Sequence, residues 1–290
     1  MNKEKPYLGI IGGSGIYDLD NISDAKWQNI SSAFGEPSDK ILTGIVNNIN
    51  IAFLPRHGKS HNLLPSNINY RANIDCLKSL GVTDIISLSA VGSLKESIKP
   101  GDFVVIDQFI DRTFARIKTF FNDGIVAHVS MAKPTSKKLS KIIFESAPDN
   151  INILNGGTYI AMEGPQFSTL AESNLYRSWN CDVIGMTNMP EAKLAREAEI
   201  AYATIAMVTD YDCWHPDHDA VTVDSIIKVL NTNSLNAKNL LKSIIKNIEK
   251  TEWNWNDPAY SALDYALITP EEARTQEAKI KLQNILKRFN

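Results

Sequence analysis

The sequence predicts an α/β protein whose sheet carries helices on its faces. Three observations predict it. Apolar runs of strand length alternate with segments of helical spacing throughout the chain. The strands end in polar or small-residue turns, and an α/β sheet gathers its ligands at that carboxyl edge. The 290 residues, 43% hydrophobic, suffice to bury the core of one large α/β domain or two small ones.

Taken in order, residues 7–11 read as a buried strand that breaks into Gly12-Gly13-Ser14-Gly15. The stretch 43–55 alternates apolar and polar residues around Asn47-Asn48, and asparagine tolerates the positive φ of a tight hairpin. Residues 66–81 have helical spacing and end on Gly81, a C′ glycine. Strands are expected at 83–93, running into a small-residue turn, and at 101–113, with a polar exit. Residues 114–157 are weakly patterned, with a helix expected near 134–147.

A strand then turns at Gly164-Pro165 into a helix from about Ser168, and residues 181–212 read strand, turn, helix, strand, polar turn. Residues 222–250 have the spacing of one long amphipathic helix. A last helix is expected behind Thr269 as N-cap, with Pro270 at N1 and Glu272 at N3 as a capping box. The chain is expected to divide into a main domain, 1–250, and a C-terminal segment, 251–290, packed on the domain or on a neighbouring subunit, in which 251–268 is the candidate linker or appended arm.

The net charge of −3 offers no electrostatic footprint for nucleic acid, and no dense Lys/Arg run marks a membrane surface. No apolar run approaches the roughly 20 residues that span a bilayer, and no secretory leader is expected. Cys76, Cys181 and Cys213 are odd in number and widely spaced, so neither a disulfide framework nor a thiolate zinc site is expected. The expectation is a protein of the reducing cytoplasm.

Five turns carry candidate chemistry. The glycine turn at 12–15 lacks the third glycine of a dinucleotide fingerprint and the lysine of a P-loop. It retains exposed backbone N–H groups and the Ser14 hydroxyl, which suit an anion, although a lone glycine turn is more often just a turn. Arg56 and His57 follow a strand, and arginine offers phosphate a bidentate fork. Their ordinary reading is a solvated loop. His57 and His61 are four apart, but Gly58 and Pro65 argue against a metal-binding helix. Ser89, Ala90, Gly92 and Ser93 offer hydroxyls and close backbone approach, or merely a tight turn. Met186, Thr187 and Glu191 surround the start of a helix, which could equally be a cap and a core methionine. Asp210 and Asp212 flank a tyrosine after the most apolar strand. In an extended segment they would point the same way, and such a pair can raise one pKa to make a general acid. The alternatives are an acidic loop, or a metal held with His215, Asp217, His218 and Asp219.

Order and spacing together say more. GIIGGSG, PRHG, NYRANI, Ala90-Val91-Gly92-Ser93, PGDFVVIDQFIDRT, EGPQFST, Met186-Thr187-Asn188-Met189-Pro190-Glu191, LARE and TDYDCW resemble the methylthioadenosine phosphorylases, in the trimeric branch of the purine nucleoside phosphorylase superfamily. The resemblance runs from about residue 7 to about 245, and its most specific motifs are PGDFVVIDQFIDRT and TDYDCW. It implies a single-domain mixed twisted sheet flanked by helices, and a homotrimer with its active site near a subunit interface. It also implies phosphorolysis of 5′-methylthioadenosine to adenine and 5-methylthioribose 1-phosphate, a step of methionine and purine salvage. Inorganic phosphate would be a co-substrate, with no cofactor and no metal.

By the same resemblance, Ser14, Arg56, His57, Ser89, the backbone at Ala90, and Thr187 would bind phosphate. Met186 would contact the ribose and the purine, and Phe167 and Ser168 would flank the base. His128, Val223 and Ile227 would line the methylthio pocket, whose substituent suits apolar walls. Asp210 would be the acid at purine N7 and Asp212 would accept from the 6-amino group. Ser14 stands where many members carry threonine, and the hydroxyl survives. The near alternative is a phosphorylase of 6-oxopurine nucleosides or methylthioinosine. Those enzymes tend to carry asparagine at the Asp210 position, because a 6-oxo group beside N1–H suits an amide. A non-catalytic phosphate-binding module would explain the glycine turn and Arg56-His57 but not the carboxylate pair.

Overall fold

The computed structural model describes residues 5–13, 22–216 and 223–289. Among them, eleven strands form one mixed sheet. Strand β1 (Leu8–Gly12) lies between two parallel neighbours, β4 (Ile49–Pro55) and β5 (Asp84–Ser93). Beyond β4 follow β3 (Ile41–Val46) and the edge strand β2 (Ser23–Gln28), both antiparallel. The β3–β4 hairpin turns at Asn47 and Asn48, at φ +47° and +59°, as the asparagine pair predicts.

Strand β5 is the branch point. Most of its length pairs in parallel with β11 (Ala201–Asp210), and its end, Gly92-Ser93, pairs antiparallel with β10 (Val183–Gly185). The single strand expected over 101–113 is two: β6 (Phe103–Val105), paired with β11 and β8 (Ile153–Asn155), and β7 (Gln108–Asp111), paired with β9 (Thr158–Ala161). The chain leaves one ladder for the other at Ile106-Asp107, where Asp107 and Gln108 donate their backbone N–H to Gly157 O.

Alternate strand residues face two helix layers, as the period of two requires. Leu8, Ile10, Ile51, Phe53, Ile86, Leu88, Ile205 and Met207 pack with α2 (Lys137–Glu145) and α5 (Val223–Lys250). Ile11, Ala52, Leu54, Ile85, Tyr202, Ala206 and Val208 pack with α1 (Tyr70–Leu80) and α4 (Asn188–Glu197). Helix α1 ends at Gly81, φ +92°, the left-handed residue expected there. Helix α3 (Leu170–Ser178) begins with a reciprocal capping box between Thr169 and Glu172.

The C-terminal segment packs on the domain. Residues 251–268 are no free linker: Trp253, Ala259, Leu263 and Ala266 are buried, and the Tyr260 hydroxyl donates to Asp84 at 2.8 Å. Leu282, Ile285 and Leu286 complete the core layer beneath α1 and α4. The last helix, α6 (Gln276–Lys281), is capped by Thr275 rather than Thr269. The Thr269 hydroxyl instead accepts from the backbone N–H of Val126, beside the Ala127–Leu267 bridge, so only a short 3₁₀ turn follows it. Among the described residues no helix is long and apolar enough to cross a membrane.

Candidate active site

The carboxyl ends of β1, β4, β5 and β11 open into a cavity of about 460 Å³. Strand β10 runs antiparallel to β5, so its exit returns along β5 and brings Met186 and Thr187 to Ser89 and Ala90. Side-chain parity sets the chemistry. Arg56, Ser87, Ser89, Tyr202 and Thr204 continue the strand positions that face α1 and α4, and beneath α4 they form a buried polar floor.

Arg56 and Glu191 lie at the centre of that floor, each about 2% exposed. Arg56 Nε donates to Glu191 Oε2 at 2.7 Å and Nη2 donates to Oε1 at 3.0 Å. Nη2 also donates to Ser87 Oγ at 2.5 Å, and Nη1 to Leu88 O at 2.9 Å. The bidentate fork predicted for phosphate is therefore occupied by Glu191, and one Nη1 hydrogen remains uncommitted among the described residues. The reason is energetic: a guanidinium this deeply buried requires a charged partner. Burial lowers the Arg56 pKa, but the adjacent Glu191 carboxylate outweighs it and the net shift is upward. Glu191 further accepts from Ser87 at 2.6 Å and Tyr202 at 2.8 Å. The Asn188 amide lies among the hydroxyls of Ser87, Tyr202 and Thr204.

Hydroxyls cluster beside this pair. Ser89 Oγ is 3.3 Å from Thr187 Oγ1 and 3.2 Å from Tyr159 Oη, and Thr187 donates its backbone N–H to Tyr159 Oη at 3.3 Å. Gly185 makes room for this arrangement, since a Cβ there would run into the tyrosine hydroxyl.

The carboxylate pair forms another part of the wall. Asp210 and Asp212 both line the cavity, but the segment is not extended. A register shift after Val208 and the left-handed Asp212, φ +52°, fold it into a turn. The Asp212 N–H donates to Asp210 Oδ1 at 2.8 Å and the Thr209 hydroxyl to Oδ2 at 2.6 Å. Trp214 Nε1 pins the turn to Ser93 O at 2.8 Å. Burial raises the pKa of both carboxyls, and for Asp212 the charge of Asp210 adds to it. Gly92 keeps the space they need, since a Cβ there would lie 2.9 Å from Asp210 Oδ1.

A pocket joining a hydroxyl-rich floor to two buried carboxyls fits a known group. Residues 7–246 match the phosphorylase superfamily. The chain belongs to that superfamily. It is 56% identical over 282 residues to the S-methyl-5′-thioadenosine phosphorylase of Rhodospirillum rubrum, an alignment covering 97% of this chain and 96% of that one. The enzyme of the same name from Bradyrhizobium diazoefficiens is also 56% identical, covering 96% of each. A methylthioadenosine phosphorylase crystal structure from an Antarctic soil metagenomic library superposes with a TM-score of 0.91 at 48% identity, covering 98% of this chain and 100% of that one. The methylthioadenosine phosphorylase of Schistosoma mansoni, solved with adenine, gives 0.80 at 35% identity over 86% of this chain and 94% of its own. The likeness to these bacterial relatives thus extends past residue 245, where the sequence motifs stop.

Within this phosphorylase fold the other expected residues divide. Ala90, Thr187, Met186 and Phe167 line the cavity, Phe167 half exposed at its mouth. His57 lines it too, its ring stacked on His61 at 4.4 Å, with Nδ1 2.9 Å from Leu63 O. A carbonyl can only accept, so Nδ1 carries the hydrogen and Nε2 is left as an acceptor. Burial, with Arg56 and His61 adding to it, lowers the His57 pKa to about 4 against the opposing Leu63 bond.

Ser168 does not line the cavity. It is buried behind the acidic turn, where its carbonyl accepts from Cys213 Sγ at 3.3 Å. His128 lies elsewhere, in a second cavity with Lys133, Arg196, Asp257 and Tyr265, because its backbone is tied to Ala266 of the C-terminal segment. Helix α5 contributes Leu230 and Ser234 to the wall, whereas Ile227, one turn earlier, is half exposed and outside it. Ser14, the Val223 side chain and Asp217, His218 and Asp219 lie outside the described residues. Among the described residues no three His, Cys, Asp or Glu side chains gather as a metal site. Sequence reading missed Tyr159 and Ser87. Strand parity with Ser89 was a signal for Ser87; nothing in the sequence pointed to Tyr159, which reaches the site across β10.

Proposed function

We propose that this protein cleaves 5′-methylthioadenosine with inorganic phosphate, releasing adenine and 5-methylthioribose 1-phosphate. The observation that carries this reading is the shared cavity, in which the hydroxyls of Ser89 and Thr187, one hydrogen of Arg56 and the carboxyls of Asp210 and Asp212 meet. The relatives' names supply the substrate.

The chemistry follows from the parts. Departure of the base leaves an oxocarbenium-like ribosyl cation, as in glycoside hydrolysis. Positioned hydroxyls and the Arg56 hydrogen hold phosphate below C1′, where orientation and the anion's charge both lower the barrier. Because the Arg56 charge is already matched by Glu191, uncharged donors carry much of the anion's recognition. His57 Nε2, an acceptor, suits the hydroxyl of a protonated phosphate. Asp210, its pKa raised by burial, delivers the proton to purine N7, and Asp212 accepts from the 6-amino group. Met186 and Phe167 hold the apolar faces of the nucleoside.

The reaction consumes phosphate as co-substrate and needs no cofactor, so it proceeds in EDTA. Assembly as a homotrimer in the cytoplasm belongs to the same reading, and a monomer in light scattering would count against that part. The deciding experiment incubates purified protein with methylthioadenosine, with and without phosphate, and follows free adenine. Adenine only with phosphate supports the reading. Adenine in both tubes makes water the nucleophile. Hypoxanthine from inosine, with no adenine from methylthioadenosine, overturns the roles of Asp210 and Asp212.

A further inference from the structure

We propose that Tyr159 is a positioning residue that aims the phosphate-site hydroxyls at the anion; this rests on the phosphorolysis reading above. Tyr159 is fully buried and does not line the cavity, yet its hydroxyl links both residues that do. It accepts the backbone N–H of Thr187 at 3.3 Å and lies 3.2 Å from Ser89 Oγ.

Hydrogen counting gives these contacts a direction. A phenol has one hydrogen to donate. The amide of Thr187 can only donate, so the Tyr159 hydrogen goes to Ser89 Oγ, the acceptor within reach. Ser89 then spends an acceptor site on Tyr159 and turns its own hydrogen outward. Its remaining neighbours are Thr187 Oγ1 at 3.3 Å and Ala90 O at a long 3.4 Å. The unprotonated oxygens of phosphate, which only accept, draw that hydrogen and the Thr187 hydrogen together. The bond to the Thr187 amide holds the second hydroxyl's backbone in place at the β10 exit.

The arrangement is built. Phe109 packs edge-on against the Tyr159 ring at 5.7 Å, fixing it. Position 185 must lack a side chain for the hydroxyl to reach the site. Charge makes the aim matter, because Glu191 already neutralises Arg56 and donor geometry must supply the selectivity.

The test measures adenine release by wild type, Tyr159→Phe, Ser89→Ala and the double variant, varying phosphate and methylthioadenosine separately. Tyr159→Phe is expected to raise the phosphate KM about tenfold, the loss of one buried hydrogen bond, while the nucleoside KM stays within about twofold. Adding Tyr159→Phe to Ser89→Ala is expected to cost much less than the product of the single effects. An unchanged phosphate KM, two KM values rising together, or fully multiplicative effects would overturn the proposal. If Tyr159→Phe does not fold, Phe109→Leu, which frees the Tyr159 ring without touching the cavity, carries the test: a selective rise in phosphate KM supports the proposal and an unchanged value overturns it. Wild type that releases adenine without phosphate overturns the functional reading and this inference with it. Phosphate-dependent wild type with an unmoved variant overturns this inference alone.

Discussion

Replacing Glu191 by glutamine keeps nearly the same volume and removes one charge from a pair that is about 2% exposed on both sides. Four donors converge on the carboxylate: Arg56 Nε and Nη2, the Ser87 hydroxyl and the Tyr202 hydroxyl. The amide offers one oxygen, and its NH₂ group confronts donors that need acceptors. Breaking a buried ion pair from one side costs about 3–5 kcal/mol. That is a large share of the 5–15 kcal/mol typical of a folded domain. At roughly 2–4 °C per kcal/mol for a chain of comparable size, the melting midpoint should fall by roughly 6–20 °C. Thermal unfolding followed by circular dichroism reads this directly. Phosphate KM should rise too, because the freed guanidinium abandons its place under the cavity. The companion variant Arg56→Met/Glu191→Leu removes both charges; it should recover most of the stability and none of the phosphate affinity. A Glu191→Gln protein melting within about 2 °C of wild type, with normal phosphate KM, would refute the argument that this pair organises the floor.

Three further outcomes are expected. Asp210→Asn should lower adenine release by about 10²–10⁴-fold, the range of general-acid effects, and shift preference toward inosine-type nucleosides; unchanged preference in competition assays would contradict the role of Asp210. Gly185→Ala should lose several kcal/mol or fail to accumulate, since its methyl group meets the Tyr159 hydroxyl; a melting midpoint equal to wild type would show that the cluster can yield. Burial raises Glu197 to about 7 against its bonds to Phe120 N–H and Thr119, so its contribution is present below the unfolded value near 4.3 and is lost as pH rises through about 7. Glu197→Gln should therefore flatten the decline in melting midpoint between about pH 4.5 and 7, and parallel profiles would refute the assignment.

Local signals held where one short stretch contains its own reason. Asn47-Asn48 turned the hairpin because asparagine tolerates positive φ, and Gly81 ended α1 for the same reason. Strand 101–113 divided because each half was claimed by a different ladder, which its own residues do not encode. The pattern Thr-x-x-Glu occurs twice, at 169–172 and 269–272. At Thr169 it forms the capping box; at Thr269 the hydroxyl is taken by Val126, 143 residues away, and the helix starts six residues later behind Thr275.

The candidate site divides on the same line. By itself the sequence determined which turns gather at one edge, because strand alternation and turn composition are local and parallel strands deliver their ends to the same side. It placed Arg56, Ser89, Thr187, Asp210 and Asp212 on that edge. Only the tertiary structure decided what each of them faces. Burial forced the Arg56 fork onto Glu191 instead of leaving it for the anion, because an unpaired charge there is prohibitively costly. A left-handed residue at Asp212, rather than an extended strand, folded the acidic turn. Tyr159 reached the hydroxyls only because Gly185, on the neighbouring strand, leaves the gap. Pairings of this kind join residues tens to more than a hundred positions apart, and no periodicity in a chain records which distant partner will be nearest.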